Sequence, residues 1–274
     1  MLPTDLEAYF RHMLNNVDST YRVEAAKCFD IVLQSKRALS LLTYSFLDED
    51  DPVRLVLASH IKPLTAIDLR SRCRAMSKRL NARCQDLLEI TTATQTSIPS
   101  TALEALLQSS GRRTNIPRST KSNFPTPDDF QLYRVDFLHR TVRDFLEADE
   151  MRGMFSSRLL AIFDSLRWLC ASFLQQVKCL PPGLSLASIR PLFVTLVENA
   201  TCFARESEFC GQNSSPQTDL LDELERVIAV LYSKFGANLL NSFMEPDTFG
   251  PIRHLTEAVG GSFTAICVRR DLFL

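Results

Sequence analysis

Glycine is scarce in this chain: 8 occur in 274 residues, against about 7% in an average protein. So few glycines supply few positive-φ turns. That disfavours a fold of many tight hairpins and suits helices joined by plain connections. An excess of charge of one sign is also missing. Lys and Arg total 31, Asp and Glu total 32, and the formal net charge is −1. No global field draws such a chain to nucleic acid or to an acidic membrane. Long apolar runs are absent as well. The most apolar stretch, Leu159–Leu174, is broken by Asp164 and Arg167 and is too short and too charged to span a bilayer. The start, MLPTDLEAYF, has two acids and no basic-then-apolar run, so it is not expected to act as a secretory signal.

The recurring signatures of catalysis are missing too. The chain contains no G-x-x-x-x-G-K-S/T phosphate loop, no G-x-G-x-x-G, no H-E-x-x-H and no G-x-S-x-G. Gly260-Gly261-Ser262 lack the strand–loop–helix context that cradles a phosphate. Histidine is confined to His12, His60, His139 and His254, none with a second His or Cys at metal-ligand spacing. Acid pairs such as Asp128-Asp129 fall in loop-like sequence, where carboxylates are solvated. The chain is therefore expected to have no enzymatic activity, no metal and no cofactor of its own. Its cysteines, Cys28, Cys73, Cys84, Cys170, Cys179, Cys202, Cys210 and Cys267, include no C-x-x-C pair and mostly sit among apolar residues. Buried free thiols in a reducing, cytoplasmic setting are the expectation.

What is present is helical periodicity. With 45% hydrophobic and 23% charged residues the chain can form a real core. Thr4 and Glu7 have capping-box spacing ahead of Leu6, Tyr9, Phe10, Met13, Leu14 and Val17. A second helix is predicted over Tyr21–Ser35, and an apolar segment follows at Ala38–Leu47. Asp51-Pro52 is an N-cap followed by a first-turn proline, predicting a short helix over Pro52–Ser59. Leu69, Cys73, Met76, Leu80, Cys84 and Leu87 then recur every three or four residues from Leu64 to about Asp86. Arg70, Arg72, Arg74, Lys78, Arg79 and Arg83 fill the other faces of that helix. Leu87–Thr92 turns β-branched and reads as a strand.

Residues 93–130 are rich in Ser, Thr, Asn and Pro and read as a long mobile loop. Tyr133, Val135 and Phe137 alternate with Arg134 and Asp136, predicting a second strand. Thr141 is expected to cap the helix after it, with Asp144 as its third-position partner. The order helix, helix, short helix, helix, strand, loop, strand, helix is that of a winged helix. The fold class expected is mainly α: a winged-helix-like N-terminal half with a small two-stranded β-hairpin, then a helical C-terminal region. Its expected parts are 1–150, with the loop at about 93–130; a helical region 151–240; and a poorly defined tail 241–274. Within the second part, Ser157–Cys179, Ser188–Arg205 and Thr218–Phe235 read as helices, the middle one with Pro191 in its first turn.

The basic helix raises the question of nucleic acid, since a winged helix with cations on its third helix can enter a major groove. A solvated face balanced by the nearby Asp48-Glu49-Asp50-Asp51 is the plainer account, and nucleic acid is not the expected partner. A free-standing helical protein-interaction module is the other alternative.

Four segments together, LPTDLEAYFRHMLNNVDSTYRVEAAKCFDIVL, LLTYSFLDEDDP, KRLNARCQDLLEI and VDFLHRTVRDFLE, resemble the region that follows the ATPase module in fungal NACHT proteins. These are signal-transducing P-loop ATPases related in logic to NLR receptors. The resemblance covers about residues 2–150 and weakens beyond. It implies a non-catalytic regulatory or interaction segment of an innate-immunity or heterokaryon-incompatibility-like receptor. It also implies protein partners or an upstream NACHT module, with ADP or ATP only where that module is present, and no membrane association. In related receptors a histidine in an F-x-H-x-x-x-x-D/E-F-L pattern touches the ADP phosphate. Phe137, His139, Asp144, Phe145 and Leu146 match that pattern, which makes His139 the nucleotide-sensing candidate. The plain alternative is a helix-entry residue bonding its own backbone. Phe137, Phe145 and Leu146 are more simply core, and Arg140 and Arg143 surface charges. Lacking the phosphate loop, the chain by itself is expected neither to bind ATP tightly nor to hydrolyse it.

Overall fold

The computed structural model describes residues 4–92, 133–159, 163–180, 186–210 and 217–235. The loop expected at 93–130 and the tail at 241–274 lie outside the described residues. The described part is mainly helical, with ten α-helices and one small sheet. The chain divides into two compact units, Met1–Ser45 with Ala66–Leu160, and Phe46–Thr65 with Ala161–Leu274.

The first unit begins with α1 (Thr4–Asn15), which buries Phe10 and Leu14 and leaves Tyr9 exposed. The Thr4 side chain, the expected cap, lies outside the described residues. Asp18 accepts from the Thr20 N–H at 2.8 Å and starts a short 3-10 turn, Ser19–Tyr21, that leads into α2 (Arg22–Ser35). Ala25, Ala26, Cys28, Phe29, Ile31 and Val32 bury one side of α2. Lys36, in the left-handed region at φ 55°, ends it.

The next segment differs from expectation. Ala38–Leu47 holds a two-residue strand, β1 (Leu39–Ser40), and then α3 (Leu41–Leu47). Ser40 makes the switch: its hydroxyl accepts from the Thr43 N–H at 3.1 Å, one of the donors a helix start leaves unmatched. The other end of α3 is closed by Arg72 of α5 (Ala66–Cys84), whose guanidinium donates to the Ser45 carbonyl at 3.0 Å. That is a long-range C-cap by a cation, favourable beside the negative end of a helix.

Helix α5 buries Leu69, Cys73, Met76, Leu80 and Cys84, the face its spacing predicted. Gln85 and Asp86, at φ 47° and 60°, reverse the chain into β2 (Leu88–Thr92). β3 (Tyr133–Phe137) pairs antiparallel with β2 from Leu88↔Phe137 to Thr92↔Tyr133. β3 also pairs with β1, as Leu39↔Val135 and Ser40↔Arg134. The expected two-stranded hairpin is therefore corrected to a three-stranded sheet of order β1-β3-β2. Two residues are too few to show a period of two, and both are buried, so alternation could not reveal β1.

After β3 come α6 (Arg140–Leu146) and α7 (Asp149–Arg158). Phe10 of α1 lies 5.6 Å from Phe145 of α6, and Phe29 of α2 lies 5.5 Å from Phe155 of α7. Such tilted ring pairs contribute about 0.5–1.5 kcal/mol beyond the area they bury. Arg11 forks onto Glu150 at 2.6 and 2.8 Å and also meets Glu7 at 2.8 Å. This holds α1 to the first turn of α7, where an acid is favoured.

In the second unit, α4 (Pro52–Ala58) starts as its sequence predicts, with the Asp51 carboxylate accepting from the Arg54 N–H at 2.9 Å. The stretch read as one helix, Ser157–Cys179, is corrected to two, α7 and α8 (Ser165–Lys178). Asp164 is the reason, because its carboxylate caps α8 by accepting from the Arg167 N–H at 3.0 Å. α9 (Leu186–Cys210) begins earlier than expected, before Pro191. α10 (Thr218–Phe235) has the predicted bounds and buries Leu220, Leu221, Leu224, Val227 and Leu231. Phe173 of α8 stacks on Phe203 of α9 at 5.7 Å.

A fully buried cation, Lys178, joins three pieces of this unit. Its ammonium donates to the Val56 carbonyl at 2.5 Å and the Ser59 carbonyl at 2.8 Å, at the end of α4. It also pairs with Glu223 of α10, which in turn holds Arg226. The backbone follows the same route: the Lys62 and Leu64 N–H groups donate to the Lys178 and Cys179 carbonyls, each at 3.1 Å. An ammonium donates three hydrogen bonds, and here all three have acceptors.

Lys178→Met should remove the cation and leave two carbonyls and a carboxylate short of a donor. We expect a loss of about 3–5 kcal/mol, read as a lower urea midpoint. Glu223 adds a pH signature. The hydrogen bond from Arg226, with that from Lys178, holds its carboxyl at about 2, below the ordinary 4.5. Its contribution is then full above about pH 4.5 and is lost as pH falls toward 2. Glu223→Gln should flatten stability over that window, and an unchanged acid limb would contradict the assignment.

Candidate functional site

The His139 position is built by the end of β3. The Leu138 N–H donates to the Leu87 carbonyl at 3.1 Å, extending the pairing one residue past β2. Leu138 itself is exposed, as is His139. His139 has extended backbone, φ −151° and ψ 149°, and is the N-cap of α6. Its Nδ1 accepts from the Thr141 N–H at 3.2 Å and lies 2.9 Å from the Thr141 hydroxyl. Its carbonyl accepts from the Val142 N–H at 2.9 Å.

The cap expected at Thr141 is therefore two residues off: His139 is the cap, and the Thr141 N–H is what it caps. Asp144 has another role, facing Arg140 at 4.0 Å across one helical turn. The plain alternative for His139, a helix-entry residue bonding its own backbone, is the geometry found, although capping is dominated by Ser, Thr, Asp and Asn. With Nδ1 accepting, the ring proton belongs on Nε2, so the ring offers an N–H outward.

The residues around His139 divide as their chemistry suggests. Phe137, Val142, Phe145 and Leu146 are buried, Leu146 completely. The Arg11 guanidinium stands 5.9 Å over the Phe145 ring. Arg140 and Arg143 lie on the surface and meet Asp144 and Glu147 one turn on. Those pairs contribute a few tenths of a kcal/mol each.

No activated nucleophile stands out among the described residues of the unit. Cys28, Cys73 and Cys84 are free and buried. Burial pushes the Cys73 thiol up to about 12. The hydrogen bond with Cys28, then burial, raises Cys84 well above its ordinary range. The Tyr44 hydroxyl, buried without a hydrogen-bond partner, is raised the same way by burial. Cys73, Cys84 and Tyr44 therefore stay protonated and unreactive at neutral pH. In the second unit, burial takes Cys170 to about 12. Among the described residues no group of three or more His, Cys, Asp or Glu could hold a metal ion. No described helix is long and apolar enough to cross a membrane.

Lys178 and Arg11 are the residues that the sequence reading missed. A lysine at the end of an apolar helix and an arginine between acids carry no local mark of their distant partners.

The features above define a class: a mainly helical protein in which a small antiparallel sheet presents a helix-capping histidine at the surface. A family described as a domain of unknown function, DUF7791, matches residues 16–188, and the chain belongs to that family. The matched span runs from ahead of α2 into the first turn of α9, so it draws on both compact units. No curated protein and no solved structure matches.

His139→Ala should cost about 0.5–2 kcal/mol through loss of the cap. His139→Asn should recover most of that. Thermal unfolding of the three proteins checks it, and equal melting temperatures would show that the ring does not cap.

Proposed function

We propose that this chain is a non-catalytic regulatory and interaction segment of a NACHT-type signal-transducing ATPase, in the manner of an immunity or incompatibility receptor. The observation that carries the reading is the arrangement of the first unit. Helix α2, strand β1, helix α3, helix α5 and strands β2 and β3 follow in that order, with β3 between β1 and β2. That order supports a winged helix, with β2 and β3 as the strands of the wing.

His139 supports the same reading. Its Nδ1 is committed to Thr141, so Nε2 is left as the donor that could meet a phosphate oxygen. In a receptor with its ATPase module, ADP would be contacted by His139 from this side while the module supplies the phosphate loop. The partners would be that module and other proteins in the cytoplasm.

The test needs the full receptor. The transcript should place a phosphate-loop reading frame in phase upstream, and its absence would defeat the receptor version. In that receptor His139→Ser keeps a good cap and removes the Nε2–H. We expect faster ADP release and raised basal signalling. ADP retention equal to wild type would remove the sensing role and leave His139 as a cap.

A further inference from the structure

The outward face of α5 is cationic, and among the described residues no acid is paired with its row of Arg70, Arg74 and Lys78. Leu69, Cys73, Met76, Leu80 and Cys84 bury one side of the helix. Away from them, on one i,i+4 row that runs from the flank to the far side of the helix with Ile67 at its start, stand Arg70, Arg74 and Lys78, all exposed. Ile67 is the most exposed large apolar residue described, at 77%. The acid of this helix, Asp68 in its first turn, falls to one flank.

The other basic residues of α5 have different work. Arg72 closes α3 through the Ser45 carbonyl, and Arg79 and Arg83 are engaged with other groups. Among the described residues, Arg70, Arg74 and Lys78 form no hydrogen bond or ion pair. Elsewhere an arginine has an acid one turn away, as Arg11 has Glu7, Arg140 has Asp144 and Arg143 has Glu147. On α5 the residue one turn from Arg74 is another cation in both directions. Like charges at that spacing weaken a helix, by about as much as opposite charges support it. The free chain thus keeps a mildly unfavourable row that an anionic partner would relieve.

We propose that this row is a docking surface for an acidic amphipathic helix of a protein partner. Steps of four residues advance about 6 Å along the axis, and carboxylates at the same spacing on an opposing helix would meet all three cations. Ile67 decides between classes of polyanion. A phosphate backbone leaves an exposed isoleucine unsatisfied, whereas a leucine on the partner helix buries it. The face also lacks the aromatic residues on which bases stack. The inference rests on the reading of the chain as an interaction segment, and not on its having an ATPase module.

The experiment uses the purified full chain and a labelled synthetic helical peptide with glutamate at every fourth residue and leucine beside it. Fluorescence anisotropy should show saturable binding that weakens with salt. Arg74→Glu should weaken it at least tenfold, and Ile67→Ser severalfold. Arg74→Glu also places an acid between Arg70 and Lys78, so its melting temperature should hold or rise, which separates lost binding from lost folding. No binding to wild type would overturn the proposal, as would binding unchanged in Arg74→Glu. A DNA duplex bound more tightly than the peptide through the same residues would also overturn it, assigning the face to phosphate. If docking fails while His139→Ser still changes ADP retention in the receptor, this inference falls alone. The reverse pattern removes the ATPase reading alone.

Discussion

The pairing of β3 with two strands at once is the constraint on which the first unit depends. Val135 faces Leu39 on one side and Ile90 on the other. Strands from before α3 and after α5 are thereby fixed to one central strand. A central strand must satisfy its backbone on both edges, so neither flanking strand can shift register without exposing Val135 and Phe137, which are buried. The position of His139 follows from this. The last strand residue is Phe137, one more backbone bond holds Leu138 to Leu87, and the following residue is the first that can turn into a helix. The candidate sensor is placed by a ladder of hydrogen bonds rather than by its own side chain.

The second unit is organised by a different necessity. A buried ammonium is tolerated only when every proton finds an acceptor and the charge finds a partner. Lys178 meets both conditions by drawing in the end of α4 and the Glu223 carboxylate of α10. The same interaction ties residues 46–65 to α8 and α10, elements far along the chain. Val56 is completely buried, but a seven-residue helix carries little stability by itself. Docking its terminal carbonyls on a fixed cation provides what its length does not.

The elements that could be read from sequence are those decided within a few residues. Asp51-Pro52 announced α4, and the three-four spacing of Leu69, Cys73, Met76, Leu80 and Cys84 announced the buried face of α5. The alternation in Tyr133–Phe137 announced β3. What stayed hidden depends on partners far along the chain or on unusual chemistry. β1 exists because β3 is there to pair with it, and its two residues carry no period. Lys178 and Arg72 look like ordinary surface cations until Val56, Ser59, Glu223 and Ser45 are brought beside them. The cap of α6 was placed on Thr141 by residue preference, while geometry gives it to an imidazole. Of the candidate site, the sequence contained the identity of His139 and its place at a strand–helix junction. The tautomer that follows from its cap could only come from distances.

Net charge illustrates the same limit at the scale of the whole chain. A sum of −1 excludes a global field, but it is an average over residues with separate duties. Arg11, Arg143, Arg167 and Arg226 are matched to acids within hydrogen-bond reach. Arg72 is matched to a helix end instead. Pairing of this kind removes charge from the field that a partner meets. Among the described residues, the unpaired charge on α5 is that of Arg70, Arg74 and Lys78. A nearly neutral protein can therefore present a locally cationic helix, because its neutrality is made elsewhere. The repulsion along that row is small in energy, a few tenths of a kcal/mol per pair. It is also the kind of cost that one acidic residue on the outer face of α5 would have relieved.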